Sequence, residues 1–305
     1  MRGDLVVQGR DQRLPFSRGL LASSIMITGL APDRAFVVAE QVEQHLTARD
    51  SRLVPSHEVR ELTASLLARL DELHASRYRR WQLVGSLDRP LVILLGGVTG
   101  VGKSTAATQL AARLELVRVI STDSVREVLR AVVPQELLPA LHSSSFNATP
   151  PLTVPATDPT PGRDGTPGTD HSMSAFQEQV QAVSVGIKAL IARAVEERTS
   201  IIIEGAHVVP GCLPGWEQEF PEALLVPVLL TVSDRETHKD HFVRRAQEVR
   251  SRSSERYLEA FDSICLIQSY MCRLAEEHQV PLVEVADLDT TLQEIIAIVA
   301  DAALR

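Results

Sequence analysis

Aromatic residues make up 4% of the 305-residue chain, and there are only three cysteines and three lysines. No window approaches the roughly 18 apolar residues that a membrane-spanning helix requires. Each shortage excludes something. Few aromatics leave little with which to stack bases, and a formal net charge of −8 removes general attraction to nucleic acid or to an anionic membrane. Cys212, Cys265 and Cys272 form no CxxC pair and leave one thiol over, which is no basis for a disulfide framework or a zinc site and suits a reducing compartment. The N-terminal MRGDLVVQGRDQRLPFSR has no apolar stretch of signal-peptide length, so a soluble, cytoplasmic protein is expected. Of the 31 basic residues 28 are arginine, so Lys103, Lys188 and Lys239 stand out and a lysine inside a motif carries weight. What remains is an ordinary globular composition, 23% charged and 44% hydrophobic.

Two regions differ in rhythm. Residues 1–88 read as two short extended pieces, LVV and RLPF, around the turn Gln8–Gln12. Three helical patterns follow: Leu20, Leu21 and Ile25 before a stop at Gly29; Phe36, Val42 and Leu46; then Val59, Leu62, Leu66, Leu70 and Leu73 as one longer stripe. The run Arg77, Arg79, Arg80 reads as a solvated helix face near the junction. From residue 89 to 305 short apolar runs alternate with helical periods, the signature of βαβ units and a mostly parallel sheet. LVILL (91–95), VRVI (117–120), SIIIE (200–204), VPVLLTV (226–232) and PLVEV (281–285) are the strands. Helices are predicted near 103–114, 124–132, 175–198, 235–250, 255–278 and 290–303. Residues 148–170, rich in proline, threonine and glycine, read as a disordered insertion, with a substrate lid as the other reading.

Directly after LVILL comes Gly96-Gly97-Val98-Thr99-Gly100-Val101-Gly102-Lys103-Ser104-Thr105, which satisfies G-x-x-x-x-G-K-[ST] from Gly97 to Ser104. Glycines let successive backbone N–H groups point inward at phosphates while the following helix presents its N-terminal dipole to the same anion. Lys103 supplies a charge for the β/γ-phosphates, Ser104 a hydroxyl for Mg²⁺, and Thr105 is the adjacent helix-start residue. At average glycine usage the pattern arises by chance about once in a hundred chains of this length. The preceding strand and following helix (Ala107, Leu110, Ala111, Leu114) are the required context.

Other side chains converge on the same sheet edge. Glu204, ending IIIE, is the candidate metal carboxylate or water positioner, with an exposed strand-end glutamate as the bland alternative. Asp123, after the strand ending VIST, is placed either to accept the proton of an attacking hydroxyl or to cap the next helix, and Arg126 three residues on to hold an acceptor's anion. Arg244, Arg245, Arg250, Arg252 and Arg256 crowd one stretch of an acidic protein, as in an arginine-bearing lid, or else line solvated helix faces. His207 is read as a polar loop residue or an acceptor contact, and Cys265 and Cys272, seven apart on a helix, as core.

Taken in order, GGVTGVGKST, STDSVREVLR, LPALHSSSFNA, IIIEGAHVVPG, HFVRRAQ and ERYLEAFDSICLIQSY resemble the archaeal-type 2-phosphoglycerate kinases across most of residues 91–285. The N-terminal VVQGRDQRLPFSRGLLASSIMITGL looks like an ATP-cone, a small nucleotide-binding module, with Gln12 where the cone's turn usually carries glycine. The resemblance implies an α/β P-loop kinase fold behind a small α+β ATP-cone-like domain. It also implies ATP and Mg²⁺ as cofactors, and a phosphorylated small molecule, 2-phosphoglycerate, as the acceptor that becomes 2,3-bisphosphoglycerate. Lys103, Asp123, Arg126, Arg244 and Arg245 are the expected catalytic set, Gly97–Thr105 the nucleotide loop, and Ser104 with Glu204 the metal pair. No nucleic-acid or membrane partner is expected, and a homo-oligomer is left open. Two alternatives stay beside this reading: a kinase for another small anionic or polyol acceptor, and an ATP-sensing regulator without transfer.

Overall fold

A computed structural model describes residues 5–8, 13–49, 51–85, 89–114, 116–146, 169–248 and 254–304. The chain divides into two compact units: a smaller one of Met1–Asp88 with Ala112–Glu115 and Leu292–Arg305, and a larger one of Arg89–Ala111 with Leu116–Thr291.

In the smaller unit, β1 (Val6–Gln8) and β2 (Arg13–Pro15) pair antiparallel, with Val7 opposite Leu14. A strand absent from the sequence reading, β3 (Leu53–Pro55), adds on the other side of β1 in parallel, Val7 opposite Val54. Four helices follow in sequence, α1 (Arg18–Met26), α2 (Pro32–Thr47), α3 (Ser56–Leu70) and α4 (Glu72–Gly85), and the end of the chain from Leu292 joins the same unit. Ser17 caps α1 by accepting from the Leu20 N–H at 3.3 Å, and Pro32 opens α2, where a missing N–H costs nothing. The apolar faces differ from expectation by a small rotation. On α2 the buried set is Ala35, Val38, Ala39, Val42 and Leu46, so Phe36 lies outside it, half exposed, as does Leu20 on α1. The long stripe ending at Leu73 is two helices: Asp71 leaves helical geometry (φ −164°, ψ 126°) and accepts the Leu73 N–H at 2.8 Å, restarting the chain in a new direction that leaves Leu70 and Leu73 exposed. Arg77 is tied into this unit rather than solvated, donating to the Thr28 carbonyl at 3.0 Å, and Gln293 donates to the Ile27 carbonyl at 3.0 Å.

From Leu91 onward the chain follows the expected alternation: β4 (Leu91–Gly96), α5 (Lys103–Arg113), β5 (Val119–Ser121), α6 (Thr122–Val132), a 3-10 turn (Pro139–His142), α7 (Thr169–Glu196), β6 (Ile201–Gly205), α8 (Trp216–Glu219), β7 (Leu224–Thr231), α9 (Arg235–Glu248), α10 (Ser254–Glu259), α11 (Phe261–Glu277), β8 (Leu282–Glu284) and α12 (Leu288–Ala303), the last belonging to the smaller unit from Leu292. The sheet is wholly parallel in the order β5-β6-β4-β7-β8. Its central strands are continuous apolar runs, as burial on both faces demands, with every residue of β4 and β6 buried. This is an α/β fold with a parallel five-stranded sheet, its phosphate-loop sequence leaving the central strand β4.

Three expectations shift. The helix expected over 255–278 breaks at Ala260 into α10 and α11. On α11 the buried face is Phe261, Ile264, Ile267, Met271 and Ala275, and Cys265 and Cys272 lie one position off it, half-buried rather than core. Of the expected insertion, 148–168 lie outside the described residues, while Thr169 and Asp170 already open α7. Among the described residues, no helix is long and apolar enough to cross a membrane.

Candidate active site

Register builds the site. In the sheet, Leu95 of β4 lies beside Glu204 of β6, Gly96 beside Gly205, and Ser121 of β5 beside Glu204, so β4, β6 and β5 deliver their last residues to one carboxyl edge. Ligands of open parallel sheets bind at that edge, where the strand order reverses. The Gly97–Thr105 loop leaves β4 there, pinned by the buried Val98 and Val101 side chains, with φ of +141°, +89° and +82° at Gly97, Gly100 and Gly102. α5 then starts at Lys103, its Ala107, Leu110 and Ala111 packed inward.

Lys103 is buried and donates to the Val98 carbonyl at 2.8 Å, so its ammonium lies over the loop it belongs to. A Cβ placed on Gly102 would meet nothing within 4 Å, so there is open space beside the N-terminus of α5. The Ser104 hydroxyl donates to a Glu204 carboxylate oxygen at 2.9 Å, and Glu204 is only 5% exposed at the end of its strand. The exposed-glutamate alternative is therefore excluded. A hydroxyl and a carboxylate in contact are hard oxygen donors of the kind Mg²⁺ takes when it also keeps waters and phosphate oxygens. Among the described residues no group of three His, Cys, Asp or Glu side chains is placed to hold a metal unaided.

One strand over, α6 begins. Its N-cap is Ser121, whose side chain accepts from the Ser124 N–H at 3.1 Å, so Asp123 does not cap the helix. The Asp123 carboxylate lies exposed on the first turn, 3.8 Å from the Arg126 guanidinium. Arg126 is mostly buried: one terminal nitrogen donates to the Ser143 carbonyl at 2.9 Å, the other stands 3.6 Å from Glu127, and the buried Nε has no hydrogen-bond partner. A buried unpartnered guanidinium donor is expensive, and an anion in the right place would satisfy it.

Arg244 and Arg245 fall on α9 and Arg256 on α10, but their side chains lie outside the described residues, as do Arg250 and Arg252. What α9 does display was not anticipated. His238 Nε2 and His241 Nδ1 each stand 2.9 Å from a carbonyl of the phosphate loop, that of Thr99 and of Gly100 respectively. A carbonyl only accepts, so both rings donate, which fixes their tautomers. The Phe242 ring packs against Gly100 so closely that a Cβ there would lie 2.6 Å from it, and continues in parallel stacking onto Tyr257 with centroids 5.2 Å apart. Burial pushes the His238 pKa below its ordinary value, favouring the neutral ring. The spacing of 238, 241 and 242 on one helix face is the signal that would have exposed this contact.

His207 does lie in the turn after β6, but buried there rather than open to an acceptor. It is fully buried, with Nδ1 3.0 Å from the Thr122 hydroxyl, Nε2 3.3 Å from the Gln179 amide oxygen, and its ring beside Phe176. Burial lowers its pKa to about 4, overriding the attraction of Asp123.

No family model matches the chain. Curated proteins do. A 2-phosphoglycerate kinase from Methanothermobacter thermautotrophicus is 36% identical over 95% of this chain and 92% of its own. The protein of that name from Thermococcus kodakarensis is 38% identical over 94% of this chain and 93% of its own. Among solved structures, a gluconokinase from Sinorhizobium meliloti 1021 matches 72% of this chain and 96% of its own at 16% identity, with a TM-score of 0.39.

Proposed function

Because the chain belongs to the family of archaeal 2-phosphoglycerate kinases, we propose that it transfers the γ-phosphoryl group of ATP to the free hydroxyl of 2-phosphoglycerate, giving ADP and 2,3-bisphosphoglycerate. The observation that carries the reading is the meeting, on one sheet edge, of the Lys103 phosphate loop with the Asp123–Arg126 pair a strand away. The first suits a triphosphate and the second an anionic alcohol.

In this reading the loop amides of Gly97–Thr105 and the Lys103 ammonium hold the β- and γ-phosphates. Ser104 and Glu204 hold Mg²⁺, which when bound offsets negative charge on the phosphate oxygens. Asp123 takes the hydroxyl proton as the acceptor oxygen bonds to the γ-phosphorus and the bond to the β–γ bridging oxygen breaks, its electron pair leaving with ADP. Arg126 pairs with the acceptor's phosphate or carboxylate. Arg244, Arg245 and Arg256 are the lid arginines that neutralise charge in the transition state.

Release of ADP from Mg²⁺-ATP should be stimulated by 2-phosphoglycerate and not by 3-phosphoglycerate, glycerate or inositol phosphates, and Lys103→Ala should abolish it. Slow hydrolysis indifferent to every acceptor would instead make the protein a nucleotide sensor. Asp123→Asn should lower turnover by about 100-fold or more with ATP affinity intact, whereas full turnover with an unchanged pH profile removes Asp123 from the chemistry. The smaller unit resembles an ATP-cone in sequence, with Gln12 where the cone's turn usually carries glycine; calorimetric titration of Lys103→Ala with ATP separates a unit that binds nucleotide (binding retained) from one that does not (binding lost).

A further inference from the structure

Behind the acceptor pair runs a buried string of polar side chains that the phosphoryl-transfer scheme does not use. Thr122, His207 and Gln179 are all fully buried, on α6, the segment after β6, and α7. The directions of their hydrogen bonds follow from one end. The Gln179 amide nitrogen contacts the backbone carbonyls of Ala140 and of Ser143, the latter at 3.0 Å. Carbonyls only accept, so the NH₂ faces them and the amide oxygen faces His207. His207 Nε2, 3.3 Å away, must therefore carry the proton, and Nδ1 accepts from the Thr122 hydroxyl at 3.0 Å. Every donor finds an acceptor only if the imidazole is neutral and in the Nε2–H tautomer. A polar group at each of these buried positions is costly unless satisfied, and the string satisfies all three.

What it holds is the Ser143 carbonyl. That oxygen also receives the Arg126 guanidinium at 2.9 Å, so one backbone oxygen takes a bond from Gln179 on one side and from Arg126 on the other. The string begins at Thr122, the residue before Asp123, and Gly205 makes room for it: any Cβ there would collide with the Thr122 hydroxyl. We propose that Thr122, His207 and Gln179 are positioning residues for the phosphoryl acceptor, fixing the Ala140–Ser143 segment and through the Ser143 carbonyl the register of Arg126 against Asp123. The segment has a separate anchor in His142, whose Nε2 lies 2.8 Å from the Val133 carbonyl. Loss of the string therefore shifts the segment without releasing it. The inference rests on the reading of Asp123 and Arg126 as the acceptor's partners.

The test is steady-state kinetics on the full chain for wild type, Gln179→Met, Arg126→Ala and the double variant. Gln179→Met should raise KM for 2-phosphoglycerate about tenfold, the loss expected of a buried hydrogen-bonded anchor, with KM for ATP unchanged. Combined with Arg126→Ala it should add nothing, because Gln179 acts through Arg126. If Arg126→Ala raises the acceptor KM and Gln179→Met does not, or if their effects simply add, the string is mere packing and the function stands. If Arg126→Ala itself leaves the acceptor KM unchanged, the role of Arg126 falls and the inference with it. Should Gln179→Met fail to fold, Thr122→Val carries the same test, and an unchanged acceptor KM in it overturns the proposal. Imidazole ¹⁵N spectra of the wild type should report a neutral Nε2–H ring for His207; the other tautomer would break the string at its centre.

Discussion

His207 illustrates what one sealed side chain does to the behaviour of the whole. Its pKa falls from 6.5 to about 4 on folding, so between those values the unfolded chain binds a proton that the folded chain refuses. Stability is therefore unaffected by this group above pH 6.5 and declines as the pH drops towards 4, by about 3 kcal/mol in all. His238, shifted downward by burial as well, contributes in the same direction. Urea midpoints between pH 7 and 4.5 should fall for the wild type and fall less steeply for His207→Asn; parallel lines would mean the imidazole titrates normally. Gly205 is the second residue whose identity matters more than its size suggests, since a methyl there must displace Thr122. Gly205→Ala should destabilise the fold by about 1–3 kcal/mol, measurable by thermal unfolding.

At the scale of elements, the phosphate loop depends on a helix far from it in sequence. α9 contributes two imidazole donors and the Phe242 ring to the crown of the loop at Thr99 and Gly100. Phe242 is 1% exposed, so Phe242→Ala should cost about 3–5 kcal/mol of stability and raise KM for ATP while sparing the acceptor KM. Equal loss for both substrates would deny the helix this specific task. Which elements were readable beforehand follows the same physics. The strands of the larger sheet were, because burial on both faces forces uninterrupted runs such as Leu91–Leu95 and Ile201–Ile203, and the loop was, because its glycines, lysine and hydroxyl admit few substitutes. β3 was not: three residues ending in Pro55 hold no alternation, and their pairing with β1 is decided by distant chain. Nor was the Asp71 break, since apolar spacing continues across it while the backbone turns. Gln179 left a trace that could have been followed, a polar residue set among Phe176, Val180, Val183 and Ile187 on the buried stripe of α7. Its partners, Ala140 and Ser143, are backbone oxygens and leave no trace at all.

On the scale of the molecule, the two units are not consecutive stretches of chain. α12 begins in the larger unit and from Leu292 belongs to the smaller, where Gln293 bonds the Ile27 carbonyl and Asp301 pairs with Arg80. Leu292, Ile295 and Val299 along it are fully buried. Ending the chain at Thr291 should therefore weaken the smaller unit, with faster amide hydrogen exchange in α1 to α4, while exchange in the central strands of the larger sheet holds; unchanged protection in α1 to α4 would contradict this account. The arrangement also imposes an order on biosynthesis. At roughly 5–20 residues per second, a ribosome that has finished Asp88 needs about 10–40 seconds to reach Leu292, and for that interval the first-made unit waits for its missing helix. The kinase unit, uninterrupted over nearly all of its length, has the opportunity to fold first although it is translated second.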